Sequence, residues 1–423
     1  MGGLLRVLCT PWQVTPIINI GAEMRRRDIM AGIGALVSHE ASAATMPWLS
    51  PDLPDGTRAE AHLVQVAGKK PLIQLSDRPP NLETPIQAFK TAITPNDQFF
   101  VRYHLAGIPD SKTLDGWKLE IDGDAAEHPA HLSMQDLNDL PQIETTAVCQ
   151  CSGNRRGLVS PHVPGVEWGN GAMGCATWHG PRLRDVLARA GVKPEAVEVW
   201  INGLDEPALP VTPPFHKSLP LNKAMADETM IATTMNGSPL PLLNGFPVRL
   251  VVPGWTSTYW MKHLSHITIS AKPIDNFWMK KAYRVPAGMF PVDNPFPTQD
   301  DAATWPITDI TVNSLIAAPL HGEEVERSGF TIRGIAWDRG NGILRVDVSL
   351  DGGKTWQGTL LDRELGRYAF RTFRLDTGPL PRGKTEIRVR ATSNTKESQP
   401  DVWKANPAGY HNNVPQRLTV TVA

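Results

Sequence analysis

Apolar and polar positions alternate along residues 96–105. Phe99, Val101, Tyr103 and Leu105 fall on one face of an extended chain, and Phe100, Arg102 and His104 fall on the other, because strand side chains repeat with a period of two. Arg102 and His104 are therefore expected to look the same way. A second alternation over 117–123 ends in Gly123 and predicts a strand running into a turn. Residues 133–140 predict a short helix capped by Ser133. Over 182–191, Leu183, Val186, Leu187 and Ala190 recur at helical spacing before Gly191, which predicts an amphipathic helix and its stop. The apolar run 245–254, bounded by glycine and proline, predicts a buried strand.

The pattern changes near Pro306. Short alternating runs at 330–337, 344–350 and 386–391 follow, and Asp351-Gly352-Gly353-Lys354-Thr355-Trp356 has the composition of a hairpin turn. About seven short strands in a segment of this length predict an immunoglobulin-like sandwich. The expected fold class is α+β. A lead-in segment (44–95) is followed by a mixed α/β domain carrying the chemistry (96–305) and an all-β immunoglobulin-like sandwich (306–423).

The 423 residues, 41% hydrophobic, suffice for two or three cored domains. Thirty-eight prolines and 35 glycines favour short elements and ordered turns. Lys+Arg 42 against Asp+Glu 43 leaves a net charge of −1, which gives no reason to expect nucleic acid or anionic lipid as the main partner. Electrostatic recognition has to be local.

Near the N-terminus, Met24-Arg25-Arg26-Arg27-Asp28-Ile29-Met30 precedes a short apolar run (31–37) and Ala41-Ser42-Ala43. That order resembles a twin-arginine export signal over 24–43, and so a periplasmic protein exported folded. The competing reading is a basic amphipathic opening helix. Residues 1–23 fit no part of such a signal and read as upstream of a start at Met24. The apolar run is too short to span a bilayer, and no membrane span is expected.

The cysteines are Cys9, Cys149, Cys151 and Cys175, too few for a disulfide scaffold of this size. Cys149 and Cys151 read first as ordinary buried thiols. Zinc finds no second pair of ligands, and a disulfide across one residue is awkward in an extended run. What sets Cys151 apart is its sequel, Ser152-Gly153-Asn154-Arg155-Arg156, a tight turn followed by two cations able to stabilise a thiolate. Soft thiolates suit soft or redox-active metals. With Arg102 and His104, and with Arg249 and Lys262 either side of Gly254, these cations outline an anion pocket.

Phe99-Phe100-Val101-Arg102-Tyr103-His104, Cys151-Ser152-Gly153-Asn154-Arg155-Arg156, Gly203-Leu204-Asp205, Met235-Asn236-Gly237-Ser238-Pro239-Leu240-Pro241, the 244–254 run and Trp278-Met279-Lys280-Lys281-Ala282-Tyr283 together resemble, in order, the sulfite oxidase family of molybdenum enzymes. Asp351-Gly352-Gly353-Lys354-Thr355-Trp356 resembles that family's dimerisation domain. The likeness runs from about residue 70 to the C-terminus, and is strongest to the exported bacterial sulfite dehydrogenases, since no haem-b domain is added. It implies a molybdopterin-binding domain and a molybdenum held by one molybdopterin and one cysteine thiolate, Cys151; Cys149 has no implied role. Arg102, Arg156, Tyr283 and Trp168 match the family's sulfite pocket. Phe100, His104, Asp205, Phe215, His216, Arg249 and Lys262 match cofactor-binding positions.

The implied reaction is a two-electron oxygen-atom transfer that turns sulfite into sulfate. The sequence carries no CxxCH haem motif, flavin fingerprint or cysteine set for an iron–sulfur cluster. Electrons are therefore expected to pass to a separate c-type cytochrome, with the chain either a homodimer or paired with a cytochrome subunit. Relatives place a further arginine in the stretch matching Asn406-Pro407-Ala408-Gly409-Tyr410-His411-Asn412-Asn413; this chain has none there, and His411 is the nearest cation. Alternatives are a sulfane-sulfur dehydrogenase, an S- or N-oxide reductase of the same superfamily, or a non-catalytic periplasmic anion-binding protein. The sandwich argues against the reductases, and Cys151 in its turn argues against the last.

Overall fold

The computed structural model describes residues 62–110, 112–286 and 303–423. The export signal, the start at Met24 and the first part of the lead-in lie outside the described residues.

The alternation at 96–105 survives, although little of it is formal strand. Only Val101–Arg102 is a strand, because Gln98 turns back onto the Pro95 carbonyl just before it. Phe99, Val101, Tyr103 and Leu105 are nevertheless buried to 2% exposure or less. Val101–Arg102 closes an antiparallel sheet formed with His62–Val64, Leu72–Ser76 and Asn81–Glu83. The described part of the lead-in therefore packs as one edge of the catalytic body.

Two larger sheets and two short two-stranded ones complete that body among the described residues. One is five-stranded, in the order His216–Pro220, Glu198–Gly203, Leu264–Ser270, Leu119–Asp122 and Ala130–Leu132, with Leu264–Ser270 parallel to Leu119–Asp122. The other is built on the long hairpin of Gln142–Gln150 with Met173–Pro181. The helices are short. Met134–Asn138 starts at Ser133, which forms a reciprocal capping box with Asp136. Leu183–Leu187 buries Leu183, Val186 and Leu187, and its chain stops at Gly191, whose φ of +70° suits glycine. The run at 245–254 yields only Arg249–Val251, paired with Met230–Ala232.

The C-terminal region is a sandwich. One sheet runs Asn313–Ala318, Thr331–Trp337, Arg371–Asp376, Leu360–Leu361; the other runs Glu324–Val325, Gln416–Val422, Gly383–Ser393, Ile343–Ser349, Gln357–Gly358. Asp351 builds the hairpin turn between Ile343–Ser349 and Gln357–Gly358 by accepting from the backbone N–H groups of Lys354 and Thr355. The sandwich has its own core around Val346, Phe373 and Val389. A separate apolar cluster joins it to the catalytic body through Phe89, Val148 and Met173 on one side and Trp337 and Phe370 on the other. Trp337 Nε1 also donates to Gln150 Oε1 at 2.6 Å, which fixes the residue just before Cys151. Among the described residues no helix is long and apolar enough to cross a membrane.

Candidate active site

Cys151 follows directly on the strand Gln142–Gln150. Its turn closes when Asn154 N–H donates to the Cys151 carbonyl at 3.0 Å and Arg156 N–H to the Gly153 carbonyl at 3.0 Å. The turn rests on the loop 168–172: Cys151 N–H donates to Ala172 O, Arg155 N–H to Gly169 O and Gly157 N–H to Trp168 O, at 2.8 to 2.9 Å. Asn154 Oδ1 returns a bond by accepting from Ala172 N–H at 3.0 Å.

Beneath that loop lies Glu83, which the sequence did not reveal. It is 1% exposed, and its two oxygens accept from Gly169 N–H at 2.7 Å and Gly171 N–H at 2.8 Å. Burial pushes its carboxyl up to about 7, against the pull of those two donors. Replacing Glu83 by Ala should strand two buried N–H groups and cost roughly 2–4 kcal/mol. Thermal melting together with metal content, read beside Glu83→Gln, checks this. The loop also demands glycine at 171, where a Cβ would sit 2.0 Å from the Thr84 carbonyl oxygen. Gly171→Ala should therefore destabilise by about 3 kcal/mol or more, measurable as a lowered denaturation midpoint.

Cys151, 6% exposed, opens onto a cleft of about 590 Å³, counted out to its mouth. Nine of the twelve residues expected at the site line it: Phe100, Arg102 and His104 from the alternating stretch, Cys151, Asp205, Phe215, Arg249, Lys262 and Tyr283. The other three do not. Arg156 lies beyond the lining, its Nε donating to Ala408 O at 2.6 Å and its Nη1 to Val166 O at 3.2 Å. Trp168 is fully buried, edge-on to Phe100 with ring centroids 6.4 Å apart. His216 pairs with Asn202 in the five-stranded sheet. Arg155, expected beside the thiolate, points to the sandwich instead, donating to Asn313 Oδ1 at 3.0 Å and Val414 O at 2.7 Å.

One end of the cleft is a cluster around Tyr283. Its hydroxyl meets Arg102 Nη2 at 3.3 Å and the His104 Nε2. Burial raises the hydroxyl's pKa above its ordinary value although Arg102 opposes the rise, so Tyr283 stays a proton donor near neutrality. His104 stacks on Phe215 at 3.7 Å. Burial first, then Arg102, Lys262 and Lys217, hold its pKa well below 6.5, so its ring is neutral.

A second group of lining residues centres on Arg249 and Lys262. Arg249 donates to Asn244 O at 3.0 Å and Trp260 O at 3.1 Å, and reaches Cys149 Sγ at 3.7 Å. Lys262 donates to Arg102 O at 2.6 Å. Burial drives Lys262 down and Asp205 up, each partly held back by the other. Asn244 donates to Phe100 O at 3.0 Å and accepts from Lys69, a buried lysine of the lead-in.

Cys149 and Cys175 are ordinary buried thiols, pushed up to about 11 and about 12 by burial. The expectation that His411 supplies a cation is overturned. Burial brings its pKa down to about 4, so the ring is neutral, and it faces a separate cavity with Ser218, Tyr259 and Arg339. The C-terminal stretch contributes Tyr410 instead, stacked on Tyr283 at 5.8 Å and lying under the Arg156 guanidinium at 5.4 Å.

Several buried polar atoms of this region have no partner among the described residues: Ser152 Oγ, Thr258 Oγ1 and Arg249 Nε, all in residues that line the cleft. Native interiors leave few such atoms unpaired. A cleft with a thiol at one wall, three cations and spare donors fits an anionic, hydrogen-bonding group that offers a soft metal to Cys151. The residues present therefore fit a molybdenum–molybdopterin cofactor.

Comparison with known proteins agrees with that donor set. Residues 105–278 match the family described as the oxidoreductase molybdopterin binding domain, and residues 304–423 match the Mo-co oxidoreductase dimerisation domain. This defines the class: a molybdopterin oxidoreductase. Mitochondrial sulfite oxidase of Macaca fascicularis is 38% identical over 367 residues, covering 82% of this chain and 65% of that protein. Sulfite oxidase of Gallus gallus is 34% identical over 77% of this chain and 72% of its own length. The chain thus belongs to the sulfite oxidase family, and spans about 65% of the length of the mammalian relatives it matches. Among solved structures, the sulfane dehydrogenase SoxCD of Paracoccus pantotrophus superposes with a TM-score of 0.69 at 26% identity, covering 95% of this chain and 100% of that one.

Proposed function

We propose that this chain is a sulfite dehydrogenase, oxidising sulfite to sulfate at a molybdenum–molybdopterin centre and passing the electrons to an external c-type cytochrome. The observation that carries the reading is the convergence of Cys151, Arg102 and Tyr283 on one cleft. When bound, the cofactor supplies the two-electron oxygen-atom chemistry. Cys151 would hold the metal; Arg249 and Lys262, with Asp205 and His104, would hold the pterin and its phosphate.

The chain's own part is binding and orientation. Arg102 offers a fixed positive charge to a small dianion, since a guanidinium stays protonated throughout the working range. Its Nη1 also bonds Asn81 Oδ1 at 3.3 Å and the Tyr103 carbonyl, which keeps the head aimed. Tyr283 donates to an oxygen of the anion while neutral His104 holds its hydroxyl in place. Arg156 adds charge from behind Tyr410.

A second reading, oxidation of a sulfane sulfur, is supported by the end-to-end likeness to SoxCD; the higher identity to sulfite oxidases favours free sulfite. The dimerisation-domain match supports a homodimer or a pairing with a cytochrome subunit, and Arg25-Arg26 supports folded export to the periplasm. The test is steady-state turnover of molybdenum-loaded protein with sulfite and with a thiosulfate-derived persulfide, using cytochrome c as acceptor. Turnover of the persulfide alone would replace the first reading with the second; no turnover of either by loaded protein would reject both.

A further inference from the structure

Lys217 is fully buried on the strand His216–Pro220 and does not line the cleft. Its Nζ donates to the Trp278 carbonyl at 2.7 Å and lies 4.8 Å from the Tyr259 ring centroid and 5.4 Å from that of Tyr283. The neighbouring strand places Ile201 opposite it. The helix Phe277–Lys280 supplies the Trp278 carbonyl, the turn Ser257–Tyr259 supplies Tyr259, and Tyr283 and Arg284 come from the start of the strand Arg284–Pro286. Beyond Phe215, His104 also feels its charge. Among the described residues no carboxylate pairs with Lys217.

A buried ammonium without a counter-ion is costly. Burial, reinforced by Arg284, accordingly brings the pKa of Lys217 down to about 7. Two aromatic faces and one carbonyl are the setting of a charge that is retained for some other use. Two spaces adjoin the rings that flank it: the cleft, which Tyr283 lines, and the separate cavity lined by Ser218, Tyr259 and Arg339; the cleft gathers Arg102, Arg249 and Lys262 in its lining and is the one suited to a balancing anion.

We propose that Lys217 is a positioning residue of the anion site, a switchable positive charge behind Tyr283 that takes up a proton from solvent when a dianion enters the cleft. The inference rests on the reading of the cleft as a sulfite and sulfate site. Protonated Lys217 faces the Tyr283 ring, makes its hydroxyl a stronger donor, and adds attraction through a low-dielectric wall. The sign follows from linkage. An anion nearby raises the pKa of Lys217 from its free value of about 7. Affinity is therefore fully developed below the free value and falls as pH rises from there to the bound value, while proton uptake is largest in between.

The test is calorimetric titration of the molybdenum-loaded protein with sulfate at pH 8, in two buffers of different ionisation enthalpy. Sulfate stays dianionic across this range, so any proton taken up belongs to the protein. The wild type should bind sulfate with uptake of about half a proton. Lys217→Met should bind about tenfold more weakly at pH 7, with uptake near zero, a raised melting temperature and a sulfite KM raised more than kcat is lowered. Lys217→Arg should keep the affinity and lose the uptake. Equal uptake in wild type and Lys217→Met, or sulfate bound by the wild type without uptake, overturns the proposal. A loaded wild type that neither binds sulfate nor oxidises sulfite overturns the anion reading itself, and this inference with it.

Discussion

Replacing Cys151 by serine should lower sulfite-dependent reduction of ferricyanide at least about 100-fold. Changing groups that merely support a metal ligand already costs about 10- to 100-fold, and here the ligand itself is lost. The structure separates two ways in which this result can arise. The cleft beside Cys151 keeps Arg249, Lys262 and Asp205, so the pterin should remain bound while the metal loses its only proposed protein sulfur. Elemental analysis should show reduced molybdenum, while pterin fluorescence after denaturation should stay near the wild-type level. Full activity with full metal content in Cys151→Ser would remove the thiolate from the mechanism and leave Cys151 with Cys149 and Cys175 as ordinary buried thiols.

The second large effect belongs to Arg102. Truncation to glutamine should reduce kcat/KM for sulfite roughly 100- to 1000-fold, the range expected when one partner of a buried, hydrogen-bonded charge pair is removed. The loss should appear mainly in KM, because Arg102 is read as holding the anion rather than reacting with it. Lysine should recover only part of it, since an ammonium lacks the planar fork that reaches Asn81 and Tyr283 together. A kcat/KM within about threefold of wild type in Arg102→Gln would assign the anion to Arg156 instead.

The pocket was legible where a short-range pattern carried it. Alternation put Arg102 and His104 on one side of the chain, and both reach the Tyr283 hydroxyl. That reading needed only the two-residue period of an extended backbone, so it survived although most of the stretch is not paired as strand. The turn after Cys151 was legible for the same reason. The direction of its two arginines was not: Arg155 goes to Asn313 and Val414, and Arg156 to Ala408, contacts made across more than 150 residues. Glu83 and Lys69 were hidden because a lone charged residue in a proline-rich segment reads as solvated. Only the sheet joining residues 62–83 to Val101–Arg102 brings them beneath the loops they hold. Lys217 gave no signal either, since a single lysine in a short apolar strand looks like an edge position until the tyrosines close over it. Nor did sequence foresee that His411 would be buried and neutral while its neighbour Tyr410 turned into the site.

Arg155 and Arg156 draw their hydrogen bonds from both halves of the chain: Asn313, Val414 and Ala408 lie in the sandwich, while the loop that carries the two arginines also carries Cys151. The catalytic half is for that reason not a transferable cassette. Cut from its β-sandwich, it would keep every residue that lines the cleft yet lose the clamps on the thiolate loop, and Tyr283 would lose the Tyr410 ring stacked on it. Evolution could exchange the sandwich for another subunit or a shorter cap only by finding new acceptors for those two guanidinium groups. A region matched to dimerisation is, by these bonds, also part of the catalytic architecture.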